Sequence, residues 1–127
     1  MDSQDKRSLY RFFKGFYYAW QGILYGAKKE ANFKFHLTAA IVVCIAAFYF
    51  SITKIEWLFV LLAIGGMLSL ELINSAIEKA VDLVTGDYHP LAKAAKDLAA
   101  GAVLVYAILS AIIGFIIFLP KIWSMLV

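Results

Sequence analysis

The chain has 127 residues, of which 63% are hydrophobic and only 17% charged, with a formal net charge of +3. Soluble domains run nearer half apolar and a quarter charged, so this surplus of apolar surface calls for lipid rather than water as solvent. No basic patch is interleaved with polar readout residues, which argues against nucleic acid as a partner, and the lone Cys44 excludes an intramolecular disulfide or a cysteine metal site.

Residues 1–7 are polar and are expected to fray. From there Leu9, Phe12, Phe13, Phe16, Tyr17, Trp20, Ile23 and Leu24 recur at helical spacing. They form one stripe about 140° wide, with Arg11, Lys14, Tyr18 and Gln21 opposite. A basic, aromatic-rich helix over about residues 8–27 is expected to lie in the membrane interface. Arg11 and Lys14 interrupt its apolar stretch and no small-residue cleavage site follows, so a cleavable signal peptide is not expected. Gly22 and Gly26 make a weak GxxxG signal, since that motif speaks for helix packing only inside a long apolar span.

Residues 35–53 carry no charge, and about 20 such residues cross a bilayer. The first transmembrane helix is therefore placed at about 31–52, with a short turn at 54–56. Residues 57–70 are uncharged but too short to span, so the second helix, at about 56–84, must carry ionisable residues within it. Thr85-Gly-Asp-Tyr-His-Pro90 has the composition of a loop. A third membrane helix follows at about 92–119, ending before Pro120 and Lys121. Trp57, Tyr106 and Trp123 read as interface anchors or packing residues, and Gly65, Gly66, Ala95, Ala99 and Ala102 as places of close helix approach. Ten of the twelve Lys and Arg residues lie up to Lys34 or between Lys79 and Lys96, leaving Lys54 and Lys121 at the other ends. That bias predicts a cytoplasmic N-terminus and 85–95 loop, and an outer C-terminus.

Chemistry concentrates in the second span. Glu71, Asn74, Glu78 and Asp82 are three, four and four residues apart, which puts them within about 80° on one helix face, with Ser75 alongside. Carboxylates at membrane depth are costly and mark function. Lys93, Lys96 and Asp97 open the next helix, and Lys28, Lys29 and Glu30 open the first span, all at the same membrane side. Carboxylates, an amide and lysines converging there suit Mg²⁺, phosphate and proton abstraction from a hydroxyl. Phosphoryl transfer follows as the expected reaction. No Gly-x-x-x-x-Gly-Lys-Ser/Thr loop is present, so nucleotide is expected to be held by side chains and a helix-end loop. His36 reads as an interfacial histidine, and His89 as a loop residue able to touch a nucleotide. Two non-enzymatic readings stand beside this one: a proton-coupled transporter relaying through Glu71, and an assembly subunit whose acids merely pair with lysines.

Glu-Leu-Ile-Asn-Ser-Ala-Ile-Glu at 71–78 with Asp82, and Ala-Lys-Asp at 95–97, closely resemble the small bacterial diacylglycerol kinase family. Arg11, Lys14, Tyr18, Trp20 and Glu30 fall at that family's upstream spacing, so the likeness covers nearly the whole chain. The resemblance implies an all-α, homotrimeric protein of the bacterial inner membrane, with a surface helix, three membrane helices, and sites between protomers that use ATP with Mg²⁺. It further implies that Glu71 is the general base and Asn74 supports it, and that Glu30 and Glu78 hold the metal. Arg11, Tyr18, Glu30, Glu78, Asp87, Tyr88, His89, Lys96 and Asp97 would contact nucleotide, and Arg11, Lys14, Trp20 and Glu71 the lipid. Leu24 stands where the diacylglycerol branch carries arginine, and Lys29 replaces an asparagine. Ile-Gly-Gly-Met at 64–67 and His-Pro-Leu-Ala-Lys-Ala-Ala-Lys-Asp at 89–97 look like the Gram-positive branch, associated with phosphorylating undecaprenol. The expected activity is thus ATP-dependent phosphorylation of a membrane lipid, undecaprenol ahead of diacylglycerol.

Overall fold

The computed structural model describes residues 3–127; Met1 and Asp2, part of the polar lead expected to fray, lie outside the described residues. Four helices follow one another: α1 (Ser3–Lys29), α2 (Ala31–Tyr49), α3 (Lys54–Val84) and α4 (Pro90–Leu126). The last three are long and apolar enough to cross a membrane. α3 packs most extensively against α4 and next against α2, while α1 touches α2 and α3. Among the described residues α1 makes no contact of this kind with α4.

Each boundary has a local cause. α1 is helical from Ser3, ahead of the start near residue 8 expected from the apolar pattern; Asp5 in its first turn and Lys28 and Lys29 in its last complement the helix dipole. Glu30 is the N-cap of α2, yet its side chain makes no capping bond. α2 closes in a Schellman arrangement: Ser51 N–H donates to Phe48 O at 3.1 Å and Ile52 N–H to Ala47 O at 3.2 Å. Ser51 takes the left-handed conformation this requires, at φ 49°. Ile52 and Ala47 are both buried in the same apolar cluster, with Val60 of α3 and Ile117 of α4.

The turn therefore falls at residues 50–52, ahead of the 54–56 expected from charge alone. Thr53 and Glu56 instead form a capping box that starts α3 at Lys54. The Thr53 N–H donates to Glu56 Oε2 at 2.7 Å and the Glu56 N–H to Thr53 Oγ1 at 3.2 Å. At the other end of the bundle, Pro90 opens α4 and the His89 ring caps it, Nδ1 accepting from the Leu91 N–H at 3.2 Å. α4 runs through Pro120 to Leu126 rather than ending before it. A proline breaks one backbone bond without ending a helix held by packing on either side.

Gly66 shows why α3 and α4 approach closely. The Tyr106 hydroxyl donates to Leu62 O at 2.8 Å across the interface. A Cβ on Gly66 would lie 2.0 Å from that hydroxyl oxygen.

Candidate active site

The α2–α3 contact carries a carboxylate into the protein interior. Glu71 is 2% exposed, among the most deeply buried side chains of the molecule, and α2 brings His36 Nε2 to 3.2 Å from its Oε1. Its Oε2 is buried and has no hydrogen-bond partner among the described residues. One turn along α3, Asn74 is 5% exposed; its Nδ2 donates to Glu78 Oε1 at 3.0 Å and its Oδ1 is likewise buried without a partner. Ser75 is buried beside them. Two unspent oxygens in so small a region are unusual, because a buried acceptor without a donor costs about 1–3 kcal/mol. A site that leaves acceptors open is suited to taking a proton or a ligand there.

A second centre forms where α1 turns into α2. Lys79 Nζ lies 2.7 Å from Glu30 Oε1 and 5.4 Å from the centre of the Tyr25 ring. The Glu30 carboxylate left free at the α2 N-cap is thus used to reach α3. Gly26 permits the approach: a Cβ there would stand 2.7 Å from Leu72 Cδ2. These residues border a cavity of about 230 Å³ lined by Gly22, Gly26, Glu30, Leu72, Ser75 and Lys79, among others. At the start of α4, Lys96 Nζ sits 2.5 Å from Asp82 Oδ1, tying α4 to α3, and Lys93 pairs with Asp97 one turn along its own helix.

The site residues anticipated from sequence divide into two groups. Glu71, Asn74 and Glu78 share one face of α3, and Glu30 meets that helix through Lys79. Lys96 approaches α3 through Asp82. Arg11, Lys14, Tyr18 and Trp20 lie exposed on α1. In the loop, Tyr88 is exposed, Asp87 is held by its N–H to Thr85 Oγ1 at 3.2 Å, and the His89 ring is occupied as a cap. Among the described residues no three His, Cys, Asp or Glu side chains gather as a metal cluster. Glu30 and Glu78, the expected metal ligands, have Lys79 and Asn74 as their partners.

Three contributors escaped the sequence reading. His36 is a partner of Glu71, where an interfacial residue was expected. Lys79 holds Glu30. Gly26 is a point of close helix approach although its GxxxG is not in an apolar span. His36 stands six residues beyond Glu30 on the helix that opens the first span, a position from which that helix can face α3; the sequence carries no stronger signal.

Three apolar helices around a carboxylate-bearing face define a multi-pass membrane protein with a buried acidic site. Residues 17–118 match the family model described as prokaryotic diacylglycerol kinase. The chain is 57% identical to the undecaprenol kinase of Bacillus subtilis strain 168, over 95% of this chain and 99% of that one. It is 41% identical to a diacylglycerol kinase of Synechocystis, over 88% of this chain and 65% of that one. To the diacylglycerol kinase of Escherichia coli K12 it is 32% identical, over 90% of each. The chain belongs to the prokaryotic diacylglycerol kinase family.

Proposed function

We propose that this protein transfers the γ-phosphoryl group of ATP to the hydroxyl of a membrane lipid, and that the lipid is undecaprenol. The observation that carries the chemistry is the buried Glu71, held on one oxygen and open on the other. The choice of lipid is supported by the 57% identity to an undecaprenol kinase over nearly both whole chains, against 32% to the Escherichia coli diacylglycerol kinase. Leu24 adds to it: diacylglycerol offers ester carbonyls near its hydroxyl, and Leu24 has no donor for them.

In the proposed reaction Glu71 Oε2 takes the lipid hydroxyl proton. The lipid oxygen then bonds to the γ-phosphorus as the bridge to ADP breaks. General-base help of this kind contributes about two to four orders of magnitude. Asn74 fixes Glu78 through its amide and keeps Oδ1 free toward the reacting groups. The donor types suit a hard cation: Glu78 and Glu30 would supply carboxylates, and Asn74 Oδ1, unpartnered among the described residues, is a neutral oxygen on the side chain that holds Glu78. Mg²⁺ held there would screen the phosphate charge when bound with ATP. Lys96, Asp97, Arg11, Tyr18 and residues 87–89 complete the nucleotide site in this reading, and Arg11, Lys14 and Trp20 meet the lipid at the interface.

A homotrimer fits this assignment. Among the described residues α1, which carries Arg11 and Tyr18, makes no contact with α4, which carries Lys96 and Asp97, and this supports a nucleotide site shared with a neighbouring protomer. Phe115, Ile116 and Val105 leave apolar surface on α4 for lipid or for such neighbours. The bias of Lys and Arg toward one side orients the site to the cytoplasm and the C-terminus outward.

Labelled ATP supplied with undecaprenol or diacylglycerol in the same mixed micelles tests the proposal. Undecaprenol is expected to be preferred at least about tenfold in kcat/KM, equivalent to about 1.4 kcal/mol in transition-state binding. Equal or better turnover of diacylglycerol would overturn the polyprenol assignment, and no labelled lipid from either would overturn the kinase.

A further inference from the structure

We propose that His36 is a positioning residue for Glu71: its imidazole holds one carboxylate oxygen and thereby aims the other at the lipid hydroxyl. The inference rests on the reading of Glu71 as the base, and deepens it. A buried carboxylate needs hydrogen bonds to remain in place. Among the described residues the contact that Glu71 receives comes from His36 Nε2, at 3.2 Å on Oε1, while Oε2 receives none. Glu78 lies on the same helix but its Oε1 is taken by the Asn74 amide. One oxygen tethered and one open is the arrangement a base requires, because the tether fixes the direction in which the open lone pairs point.

The ring itself is held. It stands edge-to-face with Phe35 at 5.2 Å and 82°, and it forms one end of a cavity of about 130 Å³ between α2, α3 and α4. Ala39, Ala63 and Gly114 border that cavity without polar side chains. Ser110 also lines it, with a buried hydroxyl that has no partner among the described residues. To donate to a carboxylate, Nε2 must carry hydrogen. A neutral imidazole can do this without setting a full positive charge against the base, which a lysine at the same place would do at the expense of basicity. His36 keeps its proton throughout: the hydroxyl O–H breaks toward Glu71 Oε2, the O–P bond forms, and the electron pair of the broken bridge leaves on ADP.

The test is a double-mutant cycle in micelles with labelled ATP and undecaprenol. His36→Ala is expected to lower kcat about tenfold or more, with KM for ATP and lipid within about twofold, because ground-state binding does not use the tether. His36→Gln, whose amide can donate from a similar reach, is expected to recover most of the loss. His36→Asn, polar but too short to reach, is expected to behave as alanine does and keeps a measurement available if the alanine variant does not fold. In a Glu71→Gln background, His36→Ala is expected to cost less than a further twofold, since there is no base left to aim. An equal loss in both backgrounds, no recovery by glutamine, or a loss seen only in KM would overturn the positioning role. Near-normal turnover of Glu71→Gln alone would instead overturn the base assignment, so the two failures are distinct.

Discussion

α3 carries two glutamates that the fold treats in opposite ways. Near its start, Glu56 has every demand met: it accepts the Thr53 N–H at 2.7 Å on Oε2 and Lys121 at 3.0 Å on Oε1, with its side chain 26% exposed. Further along, Glu71 is 2% exposed, has His36 on one oxygen and, among the described residues, leaves the other without a partner. The same residue type is a cap and a tie between helices at one place, and a costly, half-satisfied acid at the other. The two differ in satisfaction as well as burial: Glu56 ties elements of the fold together, and the unpartnered Glu71 oxygen is the one proposed to react.

The widest gap is expected in turnover. Glu71→Gln should reduce lipid phosphorylation by at least about two orders of magnitude, while Glu56→Gln should stay within about twofold of the unmodified protein in the same assay. Comparable losses in both would erase the distinction. Smaller effects are expected around the open oxygens. Glu30→Gln and Glu78→Gln should each weaken Mg²⁺-dependent nucleotide binding several-fold by titration calorimetry, and Asp87→Asn less; unchanged Mg²⁺ dependence in both glutamate variants would move the ion elsewhere.

Stability should show the reverse order. Thr53→Ala removes the capping box and should cost about 1 kcal/mol, a fall of a few degrees in Tm, with turnover retained. Ser51→Gly should raise Tm slightly, since glycine occupies the left-handed position more readily than serine. A Ser51→Gly variant that melts lower would show that the serine side chain contributes more than its backbone costs.

The sequence disclosed the polar face of α3, because three- and four-residue spacing fixes which side chains share a helix surface. The charge-free runs at 35–53 and in the last helix, with the helical pattern that continues past Glu71, likewise disclosed three helices long and apolar enough to cross a membrane. Periodicity within one helix says nothing of what another helix sets against it, so His36 facing Glu71 and Lys79 facing Glu30 were not legible. Some local features were written in the chain but outweighed by others. Thr53-x-x-Glu56 is a capping-box spacing, yet the charges of residues 54–56 pointed to a turn. Pro120 pointed to a helix end, which packing and the Lys121–Glu56 pair beyond it overrode.

Thermal unfolding of Glu71→Gln in the same micelles weighs most directly whether Glu71 serves the reaction rather than the fold. Glutamine retains an oxygen for His36 and removes a buried, half-satisfied charge. A Tm equal to or above that of the unmodified protein, in a variant without turnover, is the expected result. A Tm lowered as far as by Thr53→Ala would contradict it and make Glu71 a structural residue.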